Sequence, residues 1–303
     1  MTKVYNTQAE IENLVISFSG GETSAYMCQM DFIKKYKKIL VVFANTGQEN
    51  EETLDFVDAV DRYFNLNVVW VEAAINEKIG VGTGYRLVDY KTADRDGRAS
   101  FEPMIKKYGI PNMTQPHCTR VLKREPLDKY VHSIFKRGTY DLAIGIRYDE
   151  LDRMSTKAHE RNIIYPLVES KITKKDINLF WSKMPFRLSL KGYQGNCKWC
   201  WKKTIRKHVT IMRENPSAFI FPKEMEKYGM SGAYAQKTGE PQRFFRKKMT
   251  VLDIKNLSKD KSILDAEDDS IIYDKQYDLD LSGGCGESCE VYSDVDDMER
   301  DEK

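Results

Sequence analysis

The 303-residue sequence contains no apolar run approaching the ~20 residues needed to cross a bilayer. Its first residues, MTKVYNTQAEIENL, lack the charged-then-apolar order of a secretory signal. A cytoplasmic protein with no membrane partner is therefore expected. Internal repeats and low-complexity linkers are also missing, so the chain reads as one large domain with additions or as two modest ones. Neither the glycine spacing and lysine of a P-loop nor the G-x-G-x-x-G of a dinucleotide fold occurs, which excludes two familiar phosphate cradles.

Net charge is small, at +2, but unevenly spread. Residues 1–250 carry 42 Lys and Arg against 29 Asp and Glu, whereas residues 251–303 carry 6 against 17. A basic body suits an anionic ligand such as a nucleotide or a nucleic acid, and the acidic tail reads either as a solvated extension or as a lid over the basic site. The six cysteines are Cys28, Cys118, the pair Cys197 and Cys200, and the pair Cys285 and Cys289. In a cytosolic protein a close C-x-x-C pair points to metal or redox chemistry rather than to structural disulfides.

Strand and helix signals alternate through the first half. NLVISFS, KILVVFA, NVVWVEA and YDLAIGI are buried β-rich runs, separated by helix-like stretches such as ENEETLDFVDAVDRYF with its acidic first turn. That order predicts an α/β fold with a doubly wound, mostly parallel sheet. Residues 74–100 lack periodicity and read as a long active-site loop or as an ordered excursion. Past residue 170 the alternation stops, and Thr173 with Asp176 marks a capped helix over TKKDINLFW. The expected organisation is a nucleotide-binding α/β domain over 1–170, a helical section with the C-x-x-C over 171–258, and an acidic tail with a C-x-x-x-C over 259–303.

Three loops belong at the carboxyl ends of neighbouring strands. SFSGGETSAYM joins the first strand to a helix; its glycines let the backbone approach an anion, and Ser19, Thr23 and Ser24 add hydroxyl donors. Its Glu22 is unexpected beside phosphate, and two explanations are open: the side chain points to solvent, or it helps hold magnesium. FANTGQENEETLDFV would turn Asn45, Thr46, Gly47 and Glu49 to the same crevice. AIGIRYDE would bring Arg147 there, where a guanidinium fork matches phosphate or sulfate oxygens, or would pair it with Asp149 or Glu150.

Taken in order, SGGETS, NTGQENEETLDFV, CTRVLKREPL, GIRYDE, YPL with DINLFW, and GNCKWC resemble the phosphoadenosine phosphosulfate reductase family. That family lies within the PP-loop, or adenine nucleotide alpha-hydrolase, superfamily with its Rossmann-like fold, and the likeness is greatest to stand-alone phage and prophage members. The resemblance implies that Ser17, Ser19, Gly20, Gly21, Thr23 and Ser24 hold the pyrophosphate or phosphosulfate end of an adenine nucleotide. It also implies that Asn45, Thr46, Gly47 and Glu49 line the pocket and that Arg147 contacts the anionic group. Family loops usually carry Asp where this chain has Thr23.

In cluster-bearing members the segment matching QPHCTRVLKREPL begins with two adjacent cysteines; here His117 stands in the first place and Cys118 in the second. Cys118, Cys197 and Cys200 thus offer three thiolates for a 4Fe-4S cluster or zinc, with His117, Cys285 or Cys289 as the fourth ligand. The resemblance also implies a nucleophilic cysteine near the C-terminus. Cys285 is the better analogue and Cys289 its resolving partner, unless both are metal ligands.

Two activities follow. One is reduction of a phosphoadenosine or adenosine phosphosulfate with a thioredoxin- or glutaredoxin-like reductant as partner. The other is ATP- and magnesium-dependent adenylation or thiolation of a nucleic-acid base, for which Trp199 and Trp201 in KWCWKKTIRKH would be stacking surfaces unless they form a buried face. A homodimer is compatible with either.

Overall fold

The computed structural model describes residues 11–270. Along the chain run β1 (Asn13–Phe18), α1 (Glu22–Met27), β2 (Lys38–Asn45), α2 (Glu51–Phe64), β3 (Val69–Ala74), β4 (Gly84–Val88) and α3 (Phe101–Tyr108). A π-helical turn (Arg120–Arg124) then leads into α4 (Glu125–Ile134), followed by β5 (Tyr140–Ile144), β6 (Ile163–Ile164), α5 (Pro166–Glu169) and α6 (Lys174–Trp181). The remaining helices are α7 (Ile205–Glu214), α8 (Ile220–Met225), α9 (Ala233–Thr238) and α10 (Val251–Leu257).

The six strands form one sheet in the order β4-β3-β2-β1-β5-β6. Every neighbouring pair is parallel except β3 and β4. β1 is central because its side chains are apolar on both faces: Leu14, Ile16 and Phe18 pack with α1, α2 and α6, and Val15 enters the opposite cluster with Leu127 and Val131 of α4. A strand covered on both faces reads as a continuous apolar run, which made it visible in sequence.

Helix boundaries follow local chemistry. α2 opens on the acidic pair Glu51 and Glu52 and ends at Asn65, which takes the left-handed conformation at φ 52°. α6 carries the anticipated capping box: the Thr173 N–H and hydroxyl both donate to Asp176 Oδ2, at 2.9 and 2.6 Å.

Residues 74–100 form an ordered excursion, the second of the two sequence readings, rather than one long loop. β4 pairs antiparallel with β3, and the stretch after it folds on Asp94, whose Oδ1 accepts from the Asp96 and Gly97 amides at 3.0 and 2.9 Å and whose Oδ2 accepts from Ala99 at 3.0 Å. This order was hidden because Asx-type side chain to backbone bonds have no hydrophobic period. A third cluster, with Phe101, Met104, Trp199, Phe221, Phe244 and Ile254, packs the C-terminal helices against α3.

Strand order reverses at β1: the chain runs outward through β2 and β3, then returns to β5 on the other side. Ligands of open α/β sheets bind in the crevice outside the carboxyl ends at such a switch point. The loops after β1, β2 and β5 all open there.

Candidate functional site

The loop after β1 is braced from within. Ser19 and Ser24 share a hydroxyl contact of 2.8 Å, the Ser19 amide donates to Ser24 Oγ at 3.1 Å, and Ser24 Oγ donates to Gly21 O at 3.1 Å. Gly20 sits at φ +83°, and a Cβ there would lie 2.8 Å from Thr53 Cγ2, so both conformation and space require glycine. Ser17, in β1, is buried, as are Thr23 and Ser24. At the end of β5, Gly145 lets the loops meet: a Cβ there would stand 3.2 Å from Ser24 Cα.

Arg147 is buried and donates from Nη1 to Thr23 Oγ1 at 3.1 Å, tying the loop after β5 to the loop after β1. The same guanidinium meets Asp149 at 3.1 Å and Glu150 at 3.3 Å. Arg147 thus pairs with its neighbouring carboxylates, as one of the two sequence alternatives expected, and its guanidinium also reaches the loop after β1.

Glu22 corrects the sequence expectation. It does not point to solvent, and its carboxylate is spoken for. Arg187 grips it bidentately at 3.0 and 2.9 Å, the Leu188 amide donates to it at 3.2 Å, and Trp181 Nε1 bonds its carbonyl at 3.0 Å. The segment after α6 therefore clasps the first turn of α1, a fork-to-carboxylate match that fixes geometry as well as charge.

The loop after β2 is turned partly inward. Asn45, expected at the ligand, is fully buried; its amide donates to Glu72 at 2.6 Å and to Asp94 O at 2.8 Å, and its oxygen accepts from the Gly47 amide at 3.1 Å. Gly47 faces Asp94 and Gly97, since a Cβ on it would lie 2.5 Å from Asp94 Oδ2. Glu49 is also buried: Oε2 accepts from the Thr46 amide and hydroxyl at 2.9 and 2.8 Å, and Oε1 lies 3.5 Å from Lys123 Nζ.

The GNCKWC segment docks on this loop as a short antiparallel bridge between Glu49 and Cys197. The Lys198 amide donates to Gln48 O at 2.9 Å and the Asn50 amide to Asn196 O at 2.7 Å. Trp199 Nε1 reaches Gln48 Oε1 at 2.6 Å. Asn196 extends the contact to the first loop by donating to Ser19 O at 2.7 Å.

Behind the bridge lies a cavity of about 30 Å³ lined by Thr46, Phe101, Cys118, Thr119, Leu122, Lys123, Cys197, Trp199, Cys200 and Trp201. Three of the sequence-predicted thiols are therefore brought to one place. His117 is not among them. It is buried, its Nε2 lies 3.2 Å from Gly109 O, and burial with the nearby Arg120 pulls its pKa down to about 4. Among the described residues no group of three or more His, Cys, Asp or Glu is arranged to hold a metal ion. The expected zinc or iron-sulfur centre therefore finds no support among the described residues. Cys285 and Cys289 lie outside the described residues. Cys28, buried behind α1 and pushed up to about 12 by that burial, takes no part.

Trp199 and Trp201 are 2% and 3% exposed. They are core residues, so the stacking surface for nucleic acid is withdrawn. Sequence reasoning missed Lys123, Gly145, Arg187 and Asn196. Lys123, Gly145 and Asn196 lay within quoted motifs, whereas Arg187 carried no local signal.

A family model for the phosphoadenosine phosphosulfate reductase domain matches residues 13–163. An uncharacterized nin region protein of Escherichia phage lambda is 30% identical over 285 residues, covering 92% of this chain and 94% of that protein. An uncharacterized protein of Methanocaldococcus jannaschii is 27% identical over 161 residues, 52% of this chain and 28% of its own. A second protein of that organism is 25% identical over 201 residues, 66% of this chain and 38% of its own. With the mostly parallel sheet and the ordered loops at its switch point, these matches show that the chain belongs to the phosphoadenosine phosphosulfate reductase family, on a PP-loop nucleotide-binding fold.

Proposed function

We propose that the protein is an enzyme that seats an adenine nucleotide across the loops after β1, β2 and β5 and carries out thiol-dependent sulfur chemistry on it, as a phosphosulfate reductase does. The observation that carries this reading is that Thr46, in the loop after β2, also lines the thiol cavity. A nucleotide held at the switch point would thus have its anionic end beside sulfur.

In this reading the amides of Gly20 and Gly21 hold the anion, because a glycine turn lets oxygen approach the backbone. Arg147, oriented by Thr23 and shared with Asp149 and Glu150, offers its guanidinium fork at the same point. Glu22, held by Arg187, shapes the loop and leaves the substrate alone.

The test supplies the full-length protein with phosphoadenosine phosphosulfate or adenosine phosphosulfate and a thioredoxin- or glutaredoxin-like reductant, and measures sulfite. Sulfite release is expected, without magnesium-dependent pyrophosphate from ATP. Pyrophosphate release without sulfite would replace this reading with an ATP-using sulfurtransferase.

A further inference from the structure

We propose that Glu72 is a positioning residue of the nucleotide site: from β3 it fixes the end of β2, and with it the loop that meets the nucleotide, before any ligand arrives. The inference rests on the reading above that the loop after β2 helps seat the nucleotide. It adds the group that holds this loop in place without touching the ligand.

A polar ladder crosses the carboxyl edge of the sheet. Asn45, the last residue of β2, is in register with Glu72 of β3, and Glu72 is in register with Arg86 of β4. Residues in register on neighbouring strands share a face, where their side chains interact. Asn45 Nδ2 donates to Glu72 Oε1 at 2.6 Å, and Arg86 donates to Oε2 from Nε at 2.7 Å and also from Nη2. Oε1 further accepts from the Asp94 amide at 2.7 Å. Glu72 is fully buried, so a carboxylate there carries a desolvation cost that these donors offset. An apolar side chain would avoid that cost altogether. The carboxylate therefore serves geometry more than stability.

From Asn45 the ladder sets the loop. The Asn45 oxygen accepts from the Gly47 amide at 3.1 Å while its nitrogen also donates to Asp94 O at 2.8 Å, so one side-chain amide clamps the loop after β2 to the excursion. Gly47 and Gly97 then meet backbone to backbone, at φ +79° and +77°, and a Cβ on Gly47 would lie 2.8 Å from Gly97 Cα. A side chain at either position would part the two segments. A Cβ on Gly97 would also stand 2.8 Å from Gln48 Nε2, and Gln48 is the residue that receives Lys198 and Trp199 of GNCKWC. The excursion reaches that segment directly as well, since Lys198 Nζ donates to Arg95 O at 3.1 Å. A loop ordered in advance has less conformational freedom to lose when the nucleotide binds. Loosening Glu72 therefore weakens binding from a distance.

The experiment compares the full-length wild type with Glu72→Gln and with Glu72→Gln combined with Arg86→Met. Glutamine matches the shape of Glu72, but in either orientation its amide sets donor against donor, facing Arg86 or facing Asn45 and the Asp94 amide. In Glu72→Gln, calorimetry with adenosine 5′-phosphosulfate should show affinity lower by roughly tenfold, and hydrogen exchange over residues 46–50 of the free protein should quicken by a similar factor. Arg86→Met removes the conflict: the glutamine oxygen stays on Asn45 and Asp94, and its nitrogen meets a space that water can reach, since the Arg86 side chain is 37% exposed. The double variant should therefore recover affinity and exchange protection to within about threefold of the wild type. A merely structural ion pair predicts the reverse, and a double variant no better than the single one overturns the assignment. Wild-type affinity in Glu72→Gln does so too, leaving the nucleotide site standing. Fast exchange of the 46–50 amides in the free wild type overturns it without any variant having to fold. Failure of the wild type to bind either phosphosulfate overturns the nucleotide reading itself, and the role of the ladder with it.

Discussion

Arg187→Ala tests whether the clasp on the first loop is energetic or incidental. The side chain of Glu22 is 9% exposed and that of Arg187 28%, and they meet in a bidentate fork. Removing one partner of a buried pair costs about 3–5 kcal/mol when the remaining charge has no compensation. Here the Leu188 amide still serves Glu22 at 3.2 Å, and water can reach the space vacated by a partly exposed guanidinium. The discounted cost is about 2 kcal/mol. The double variant Glu22→Gln with Arg187→Met removes both charges, keeps an acceptor for Leu188 and refills the volume of the arginine stem, so it should lose less than about 1 kcal/mol. Urea unfolding at neutral pH of the double variant and of Glu22→Gln and Arg187→Met alone gives all the terms of the cycle. If the double variant loses as much as the two single changes together, the pair is uncoupled and the reasoning fails.

Two further predictions concern the loops and the buried histidines. Gly145→Ala should weaken adenosine phosphosulfate binding by roughly tenfold while costing only about 1–2 kcal/mol of stability, since the new methyl presses on the Ser24 backbone; unchanged affinity measured by calorimetry would show that the approach does not shape the site. His117 is held neutral, with its pKa lowered from 6.5 to about 4, and His208 is lowered as well by burial and by Lys203 and Arg246. For His117 the unfolded chain then binds more protons than the folded one between those values, so its contribution is complete above pH 6.5 and is lost as pH falls toward 4, by up to about 3 kcal/mol, and His208 acts in the same sense. Asp94 and Glu226, raised by burial, act in the opposite sense, so the measurement is the difference in pH slope between wild type and His117→Gln; equal slopes would refute the assignment.

How far the molecule could be read in advance depended on whether the cause was local. β1, β2, β3 and β5 announce themselves because strands buried on both faces are apolar throughout, and the α6 cap was legible because Thr173 and Asp176 are three residues apart. The contacts that shape the site are not local. Glu22 finds Arg187, Ser19 O finds Asn196, and Gln48 finds Trp199 across long stretches of chain, and no periodicity encodes such partners. For the same reason KWCWKKTIRKH left a stacking surface and a buried aromatic face both open, and it is α3 and α8 that supply the neighbours burying Trp199. The motifs marked which segments matter, and the fold decided what each carboxylate and indole faces.

The bridge between GNCKWC and the loop after β2 limits how this protein can be divided. Residues 13–163 carry the family match, yet the Gln48 carbonyl, the Asn50 amide and the Ser19 carbonyl all take partners from residues 196–198. A fragment cut after β6 would expose those backbone groups and open the thiol cavity, because Cys197, Trp199, Cys200 and Trp201 form much of its wall. The matched segment is thus the larger share of a site whose remaining wall comes from a different part of the chain. Grafting it onto another scaffold would transfer the sheet without the loop geometry at its edge.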